Sequence, residues 1–242
     1  MNLLISNLKL YSGNLENLPD SKLLINTINA HSFNTAQADK LFREAIQNSD
    51  ILLPDGISIV IAARFIKGLK FKKIAGSELF YYEMNRLNRI DGKCFFLGSN
   101  INNLKLIVER AKIEFPNIDV RSYSPPYNSE FSSQENTEII TKINSFKPDV
   151  LFIGMSAPKQ EKWAYQHFDE LDVCHVCNIG AVFDYYSRRI SRAPKSLIKM
   201  GLEWLHRLIK EPRRMWRRYL IGNTKFIYLI LREKLIEIKS AD

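Results

Sequence analysis

The sequence predicts an α/β fold: a Rossmann-like, mostly parallel sheet flanked by helices, with a C-terminal helical appendage. Three observations lead there. Short β-branched and apolar runs alternate with helix-patterned stretches along most of the chain, the grammar of parallel strands joined by crossover helices. Three of those runs end in a glycine that opens onto a helix, at Gly98, Gly154 and Gly180. The last stretch of the chain then changes character and becomes strongly basic.

The elements follow in order. Leu23–Asn29 reads as a strand and Thr35–Asn48 as a helix, with Asn34 as its cap. Ile51–Pro54 is a short strand, Gly56–Ile66 a helix rich in Ile, Val and Ala, and Ser77–Leu87 another helix. Lys93–Leu97 runs through Gly98, Ser99 and Asn100 into a helix ending at Phe115. Ser124–Thr137, rich in Pro, Ser and Asn, is the one long loop, a length often used for lids or connectors. Asp149–Ile153 runs through Gly154 to Pro158 into a helix from Lys159, and Val173–Ile179 runs into Gly180, Ala181 and Asp184. Loops of this kind gather at the carboxyl edge of a parallel sheet, where open α/β folds bind ligands. Glycine lets a backbone approach closely, and a helix N-terminus offers unpaired N–H groups to an anion. Further on, Pro194 and Pro212 each read as the first residue of a helix. On a regular helix Arg213, Arg214, Arg217 and Arg218 share one side, and Met215, Trp216, Tyr219 and Leu220 the other. That is the pattern of a membrane-surface helix.

At 242 residues, 45% hydrophobic and 11% aromatic, the chain has the means for one large core, or a domain plus an appendage. A disordered, collagen-like or disulfide-stapled protein is excluded. The net charge of +9 is unevenly placed: fourteen basic and three acidic residues between Arg188 and Lys234 give that segment +11 and the remainder −2. An anionic partner follows, whether nucleic acid, phospholipid or a phosphorylated substrate. Three cysteines form no disulfide framework and fit a reducing compartment. Residues 1–10 lack the marks of a signal peptide. No stretch reaches the roughly 18 uncharged apolar residues of a spanning helix, so the expected membrane contact is peripheral.

Several residues carry chemistry. Asp55, in Leu-Leu-Pro-Asp-Gly, reads either as a carboxylate that takes a proton from a hydroxyl or as a helix N-cap. Pro158-Lys159-Gln160-Glu161 reads either as polar groups presented to a cleft or as an ordinary first helical turn. The Cys174/Cys177 pair has no second ligand pair at metal spacing and sits in an apolar run, where cysteine packs as a small hydrophobe. The four histidines are not clustered, and G-x-S-x-G, G-x-G-x-x-G and Walker A patterns are missing. So is the Asp-x-Asp with which many sugar transferases hold a metal-bound diphosphate. Arginine is the alternative carrier of diphosphate charge. Arg207, Arg214, Arg217 and Arg218 are spaced to reach one cleft from a helix pair, or to form a basic face toward anionic lipid.

The chain resembles the WecG/TagA/CpsF family of bacterial glycosyltransferases, family 26. The resemblance rests on Asp55-Gly56, Pro158 to Glu161, Gly180-Ala181-Val182-Phe183-Asp184, Arg192-Ala193-Pro194, Gly201-Leu202-Glu203-Trp204, Arg207-Leu208, Glu211-Pro212 and Arg217-Arg218-Tyr219, in that order along most of the chain. It implies inverting, metal-independent transfer of a sugar, N-acetylmannosamine or a related hexose, from a UDP-sugar to a polyprenyl-diphosphate-linked sugar. The products serve surface polysaccharides such as capsule, exopolysaccharide, teichoic acid or enterobacterial common antigen. No cofactor and no metal are implied. Asp55 matches the proposed general base, with Thr27, Asn29 and Gln160 beside it. Asp184 matches the nucleotide site, and the C-terminal arginines the diphosphate. Lys73 stands where the family usually has arginine, and Glu78 where it has aspartate. Gly154-Met155-Ser156-Ala157 replaces a Gly-Leu-Gly loop. These departures bear on the donor sugar.

The expected organisation is a catalytic domain over residues 1–190 and a basic amphipathic membrane-docking appendage over 191–242. The expected location is cytoplasmic, on the inner face of a bacterial plasma membrane, with anionic lipid as a partner and a homo-oligomer left open. A nucleic-acid-binding module is disfavoured because the aromatic residues lie opposite the arginines rather than interleaving with them. A dinucleotide enzyme is disfavoured by the missing fingerprint. A non-catalytic nucleotide- or membrane-binding component of a polysaccharide assembly complex is the alternative.

Overall fold

Six strands pair in parallel into one sheet: β1 (Leu23–Ile28), β2 (Ile51–Pro54), β3 (Lys93–Gly98), β4 (Asp119–Tyr123), β5 (Val150–Gly154) and β6 (His175–Asn178). Their order in the sheet is β2-β1-β6-β5-β3-β4. The chain lays down β1 and β2, crosses to β3 and β4, and fills the centre last with β5 and β6. The reversal leaves a crevice at the carboxyl ends of the central strands. The computed structural model describes residues 3–241, without the side chains of Lys195, Lys199, Arg214, Ser240 and Ala241.

The helices are α1 (Ala30–Ala38), α2 (Lys40–Gln47), α3 (Ile57–Lys67), α4 (Gly76–Arg89), α5 (Ile101–Glu114), α6 (Ser133–Phe146), α7 (Lys159–His167), α8 (Val182–Tyr186), α9 (Lys195–Lys199), α10 (Glu203–Lys210), α11 (Pro212–Trp216) and α12 (Gly222–Ala241). Because both faces of the sheet are covered, its central strands are continuous apolar runs. Val150, Leu151, Phe152 and Ile153 are all fully buried. On one face Ile25, Leu53, Phe96 and Phe152 pack against Phe80 and Met84 of α4, Leu104 and Ile107 of α5, and Phe183 of α8. On the other, Leu24, Leu151 and Ile153 meet Ile139 and Ile143 of α6 and Trp163 of α7, while Ile28 and Leu52 meet Phe33, Phe42 and Ile59.

The last helix closes over that second face. Phe226 is buried with its ring 5.3 Å from Phe33, edge-on, and Ile230 is buried beside it. The buried Glu233 carboxylate accepts the backbone N–H groups of Ile5 (2.9 Å) and Ser6 (2.8 Å), so α12 ties down the beginning of the chain.

Several local expectations are corrected. The helix expected over 35–48 is two helices, because Asn29 rather than Asn34 caps the first and Asp39 caps the second through Phe42 N–H at 2.9 Å. Asn34 lies inside α1, where its Nδ2 donates to the Gly222 carbonyl at 2.7 Å. The loop expected over 124–137 ends at Ser132, which starts α6 with a reciprocal cap to Glu135. Strand β4, a mostly exposed edge, was not expected at all; its apolar content is too low to announce burial. Pro194 caps α9 rather than opening it, whereas Pro212 does open α11. Finally, Arg217–Ile221 is a π-helical turn. With i→i+5 bonding and more residues per turn, it breaks the regular spacing that separates arginines from aromatics. Met215 is buried while Trp216 and Leu220 are exposed.

Candidate active site

Asp55 follows the last residue of β2, and its N–H continues the ladder to the Ile28 carbonyl at 2.9 Å. Gly56 then turns the chain into α3 at φ +146°, a conformation costly for any residue with a Cβ. Gly56 is the N-cap position of α3, and no side chain caps that helix. The Asp55 carboxylate is therefore not spent on capping.

Two segments bring charge to it. Ile74 N–H donates to the Pro54 carbonyl at 3.1 Å, which sets the segment carrying Lys73 and Glu78 alongside. Glu78 is engaged by its own helix start, accepting Ala75 N–H at 2.7 Å. From the C-terminal side, the Gly201 turn rests on Ile57 at the start of α3, 3.2 Å from where a Cβ would stand. This brings Glu203 between two cations: Oε2 lies 3.6 Å from Lys73 Nζ and Oε1 lies 3.3 Å from Arg192 Nε. Burial is the largest influence on Asp55 and pushes its carboxyl up to about 6; Lys73 and Arg192 oppose that rise, and Glu203 and Glu78 add to it.

Asn29 lies next to this group, its Cβ 3.5 Å from the Cβ position of Gly56. Its Oδ1 accepts the His31 and Ser32 N–H groups, so the amide NH2 is the end not used by the cap. Thr27, half-buried, pairs in register with Leu53 of β2.

Gln160 and Glu161 are both buried in the first turn of α7. Gln160 Nε2 donates to Glu161 Oε1 at 2.9 Å, and the Cβ position of Gly180 is 3.7 Å from the same Nε2. Gln160 Oε1, Glu161 Oε2 and the nearby Asn178 Oδ1 have no hydrogen-bond partner among the described residues. Burial pushes the Glu161 carboxyl up to about 7. Two buried polar residues are not an ordinary solvated turn.

On the far side of the crevice, Gly98 sits at φ +109°, and any Cβ there would stand 2.7 Å from the Gly154 carbonyl oxygen. The following Ser99 receives Asn103 Nδ2 at 2.8 Å, and the same amide reaches Asp184 Oδ1 at 3.5 Å. Asp184 also lies 3.8 Å from Arg189.

The arginines divide. Arg207 stands 5.7 Å from the Tyr185 ring centroid, and its half-buried guanidinium has an Nε with no hydrogen-bond partner among the described residues. Arg218 acts on His31, whose imidazole is pushed down to about 4 by burial first and by that positive charge second. The two arginines thus lie toward α8 and α1, and the Trp204 and Tyr219 rings, 6.0 Å apart, join the segments that carry them. Arg217 is exposed against the Trp216 ring. The Arg214 side chain lies outside the described residues.

Arg192, Glu203 and Asn103 were not singled out as site residues by the sequence, and Glu161 appeared only as part of the Pro158 to Glu161 turn. Arg192 and Glu203 were visible only inside longer motifs, since the pairing of Glu203 with Lys73 exists only once the C-terminal segment folds back.

The chain matches the Glycosyl transferase WecG/TagA/CpsF family over residues 8–240. It is 29% identical over 211 residues to an N-acetylglucosaminyldiphosphoundecaprenol N-acetyl-beta-D-mannosaminyltransferase of Bacillus subtilis (strain 168), covering 87% of this chain and 80% of that one. A protein of the same name from Bacillus spizizenii is 28% identical over 204 residues, 84% of this chain and 77% of its own. Another from Staphylococcus aureus (strain MW2) is 26% identical over 235 residues, 96% and 87%. With a parallel sheet whose polar groups converge at its carboxyl edge, and a match spanning nearly its whole length, the chain belongs to the WecG/TagA/CpsF family of glycosyltransferases.

Proposed function

We propose that the protein transfers N-acetylmannosamine or a related hexose from a UDP-sugar to a polyprenyl-diphosphate-linked sugar, with inversion and without a metal ion, in bacterial surface polysaccharide synthesis. The observation that carries this reading is the state of the three carboxylates that meet at the sheet edge. Glu203 is held by two cations and Glu78 by a helix start, leaving Asp55 as the free base. The names of the relatives, which specify N-acetylmannosaminyl transfer to diphosphoundecaprenol-linked N-acetylglucosamine, support the choice of sugar and acceptor.

In this mechanism Asp55 takes the proton of an acceptor hydroxyl as that oxygen attacks the anomeric carbon. The bond to UDP breaks on the opposite face, and UDP leaves with the electron pair. One carboxylate suffices, because inversion needs a base only on the acceptor side. A base pushed up to about 6 is still ionised at neutral pH and is stronger than an ordinary aspartate. Gln160, Thr27, Asn29 and Lys73 border the sugar, and Asp184 the nucleoside. Arg207 and Arg218, with Arg214 and Arg217 as further candidates, answer the charge that develops on the diphosphate.

The division into a catalytic domain (1–190) and a membrane-docking segment (191–242) is part of the proposal, as is a place on the inner face of the plasma membrane. No helix among the described residues is long and apolar enough to cross a membrane. Apolar side chains nevertheless stay exposed: Ile57, Ile61, Phe65 and Leu69 on and just after α3, and Ile227, Leu231 and Leu235 on α12. Lys234 Nζ, donating to the Ile66 carbonyl at 3.2 Å, ties the two helices together. Exposed Arg64, Lys70, Lys72 and Arg232 accompany them, a combination suited to an anionic bilayer surface.

The test is UDP release across a panel of UDP-sugars, with EDTA present and a short-chain polyprenyl-diphosphate-N-acetylglucosamine analogue as acceptor. Acceptor-dependent release from one donor is the expected result. Release that requires added metal, or no acceptor dependence with any donor, would overturn the proposal.

A further inference from the structure

Glu203 is supplied by the C-terminal segment yet reaches both cations that act on Asp55. Its two oxygens are divided between them, 3.6 Å from Lys73 Nζ and 3.3 Å from Arg192 Nε. All three side chains are largely withdrawn from solvent, between 22% and 30% exposed, so their charges are only partly screened. The groups that face Asp55 are Lys73 from the loop before α4, Glu78 from the start of α4, Arg192 from the loop before α9 and Glu203 from α10. Glu78 is fixed by the Ala75 N–H at 2.7 Å. Glu203 is thus the one acidic group of the set that is paired with the cations rather than with backbone.

We propose that Glu203 is a positioning residue: by pairing with Lys73 and Arg192 it offsets their pull on the Asp55 carboxylate, and so makes the strength of the base depend on the docked C-terminal segment. The inference rests on the reading of Asp55 as the base. Without Glu203, the two cations act on Asp55 with only the backbone-held Glu78 opposing them. A carboxylate beside an unopposed cation becomes more acidic by about 1–3 pH units, and a weaker base removes a hydroxyl proton less well. If the Gly201 turn lifts from Ile57, Glu203 leaves while Lys73 stays on the body, with the same consequence. Base strength and docking are then coupled through one side chain.

The experiment is a 13C NMR titration of the Asp55 carboxyl in the full-length free protein, without substrate, paired with the pH profile of kcat/KM for UDP release. In Glu203→Gln the Asp55 midpoint and the acid limb of kcat/KM should both move down by about one pH unit or more. Arg192→Gln, which removes a cation and leaves Glu203 on Lys73, should move both upward. The double variant should lie near wild type. Glu203→Asp should keep most of the wild-type midpoint. If Glu203→Gln does not fold, the upward movement in Arg192→Gln carries the test alone. A midpoint unchanged in folded Glu203→Gln or Arg192→Gln would overturn the inference. A midpoint that moves while the kcat/KM profile stays fixed would also overturn it, this time because Asp55 is not the base; the two failures are therefore distinguishable.

Discussion

The two edges of the sheet use buried polar groups in opposite ways. At the amino edge the buried Glu83 carboxylate is shared between His175 Nδ1 and Arg86 Nε, each at 2.8 Å, and the second ring nitrogen of His175 faces the Pro19 carbonyl at 3.1 Å. Asp50 accepts the Leu24 N–H near the start of β1 and Asp149 the Lys93 N–H that opens β3, both at 2.7 Å. Arg86 Nη2 lacks a partner there. At the carboxyl edge the balance is reversed. Gln160 Oε1, Glu161 Oε2, Asn178 Oδ1, Asn103 Oδ1 and Arg207 Nε have no hydrogen-bond partner among the described residues. Two carboxyls, Asp55 and Glu161, are pushed up by burial. Folding satisfies its own buried polar groups wherever it can. A set left unsatisfied mainly on one edge is arranged for something other than folding, and it costs stability.

This contrast can be broken by substitution. The largest effect is expected at Asp55. Asp55→Asn should lower turnover roughly 10²–10⁴-fold, the range for losing a general base, with UDP binding retained in a direct binding measurement. Wild-type kcat/KM should itself fall as pH drops through about 6, where the base is protonated.

Next comes the amino edge. Glu83→Ala strands His175 and Arg86 around a lost charge and should cost about 3–5 kcal/mol in urea unfolding. Turnover per folded molecule should stay at wild type, and a large kinetic loss would blur the distinction between the edges.

Glu161 gives a smaller effect of opposite sign. Its carboxyl is higher in the folded protein than the ordinary value, so the folded state binds the extra proton between about 4.5 and 7 and stability falls as pH rises through that window. Glu161→Gln removes the titration and should be more stable than wild type at pH 8 by about 1–3 kcal/mol, with a flatter pH dependence of melting.

The smallest effects sharpen the arginine assignment. Arg207→Ala should weaken UDP binding about 10-fold or more, as for a lost charge-assisted hydrogen bond. Exposed Arg217→Ala should change it by no more than about 3-fold, as calorimetry would show.

Much of the fold was legible. Strand β2 and the start of α7 match the sequence reading to the residue, because a short apolar run bounded by Pro-Asp-Gly, and a Pro-Lys-Gln-Glu turn, each carry a local signal. Strand β4 was not legible, since an edge strand reading Asp-Val-Arg-Ser-Tyr has neither alternation nor an apolar run. The break at Asp39 was hidden because capping competes with helix continuation over a single residue, and here the cap is strengthened by Lys162 at 3.1 Å. In the site, Gln160 and Asp184 were implied by the resemblance, while Asp55 and the Pro158 to Glu161 turn were singled out because each follows a predicted strand end. Glu203 and Arg192 were not, because their meaning depends on contacts between segments more than a hundred residues apart in the chain. The π-helical turn at Arg217–Ile221 is likewise not announced by local periodicity.

The most direct test of the central claim is the melting temperature of Asp55→Asn at pH 8, measured on the same sample as its UDP release. If the carboxyl edge is arranged for reaction at the expense of folding, removing an ionised carboxylate whose pKa folding raises should raise the melting temperature at pH 8 while turnover collapses. A variant that melts lower than wild type, or one that keeps turnover within a few-fold, would contradict the account.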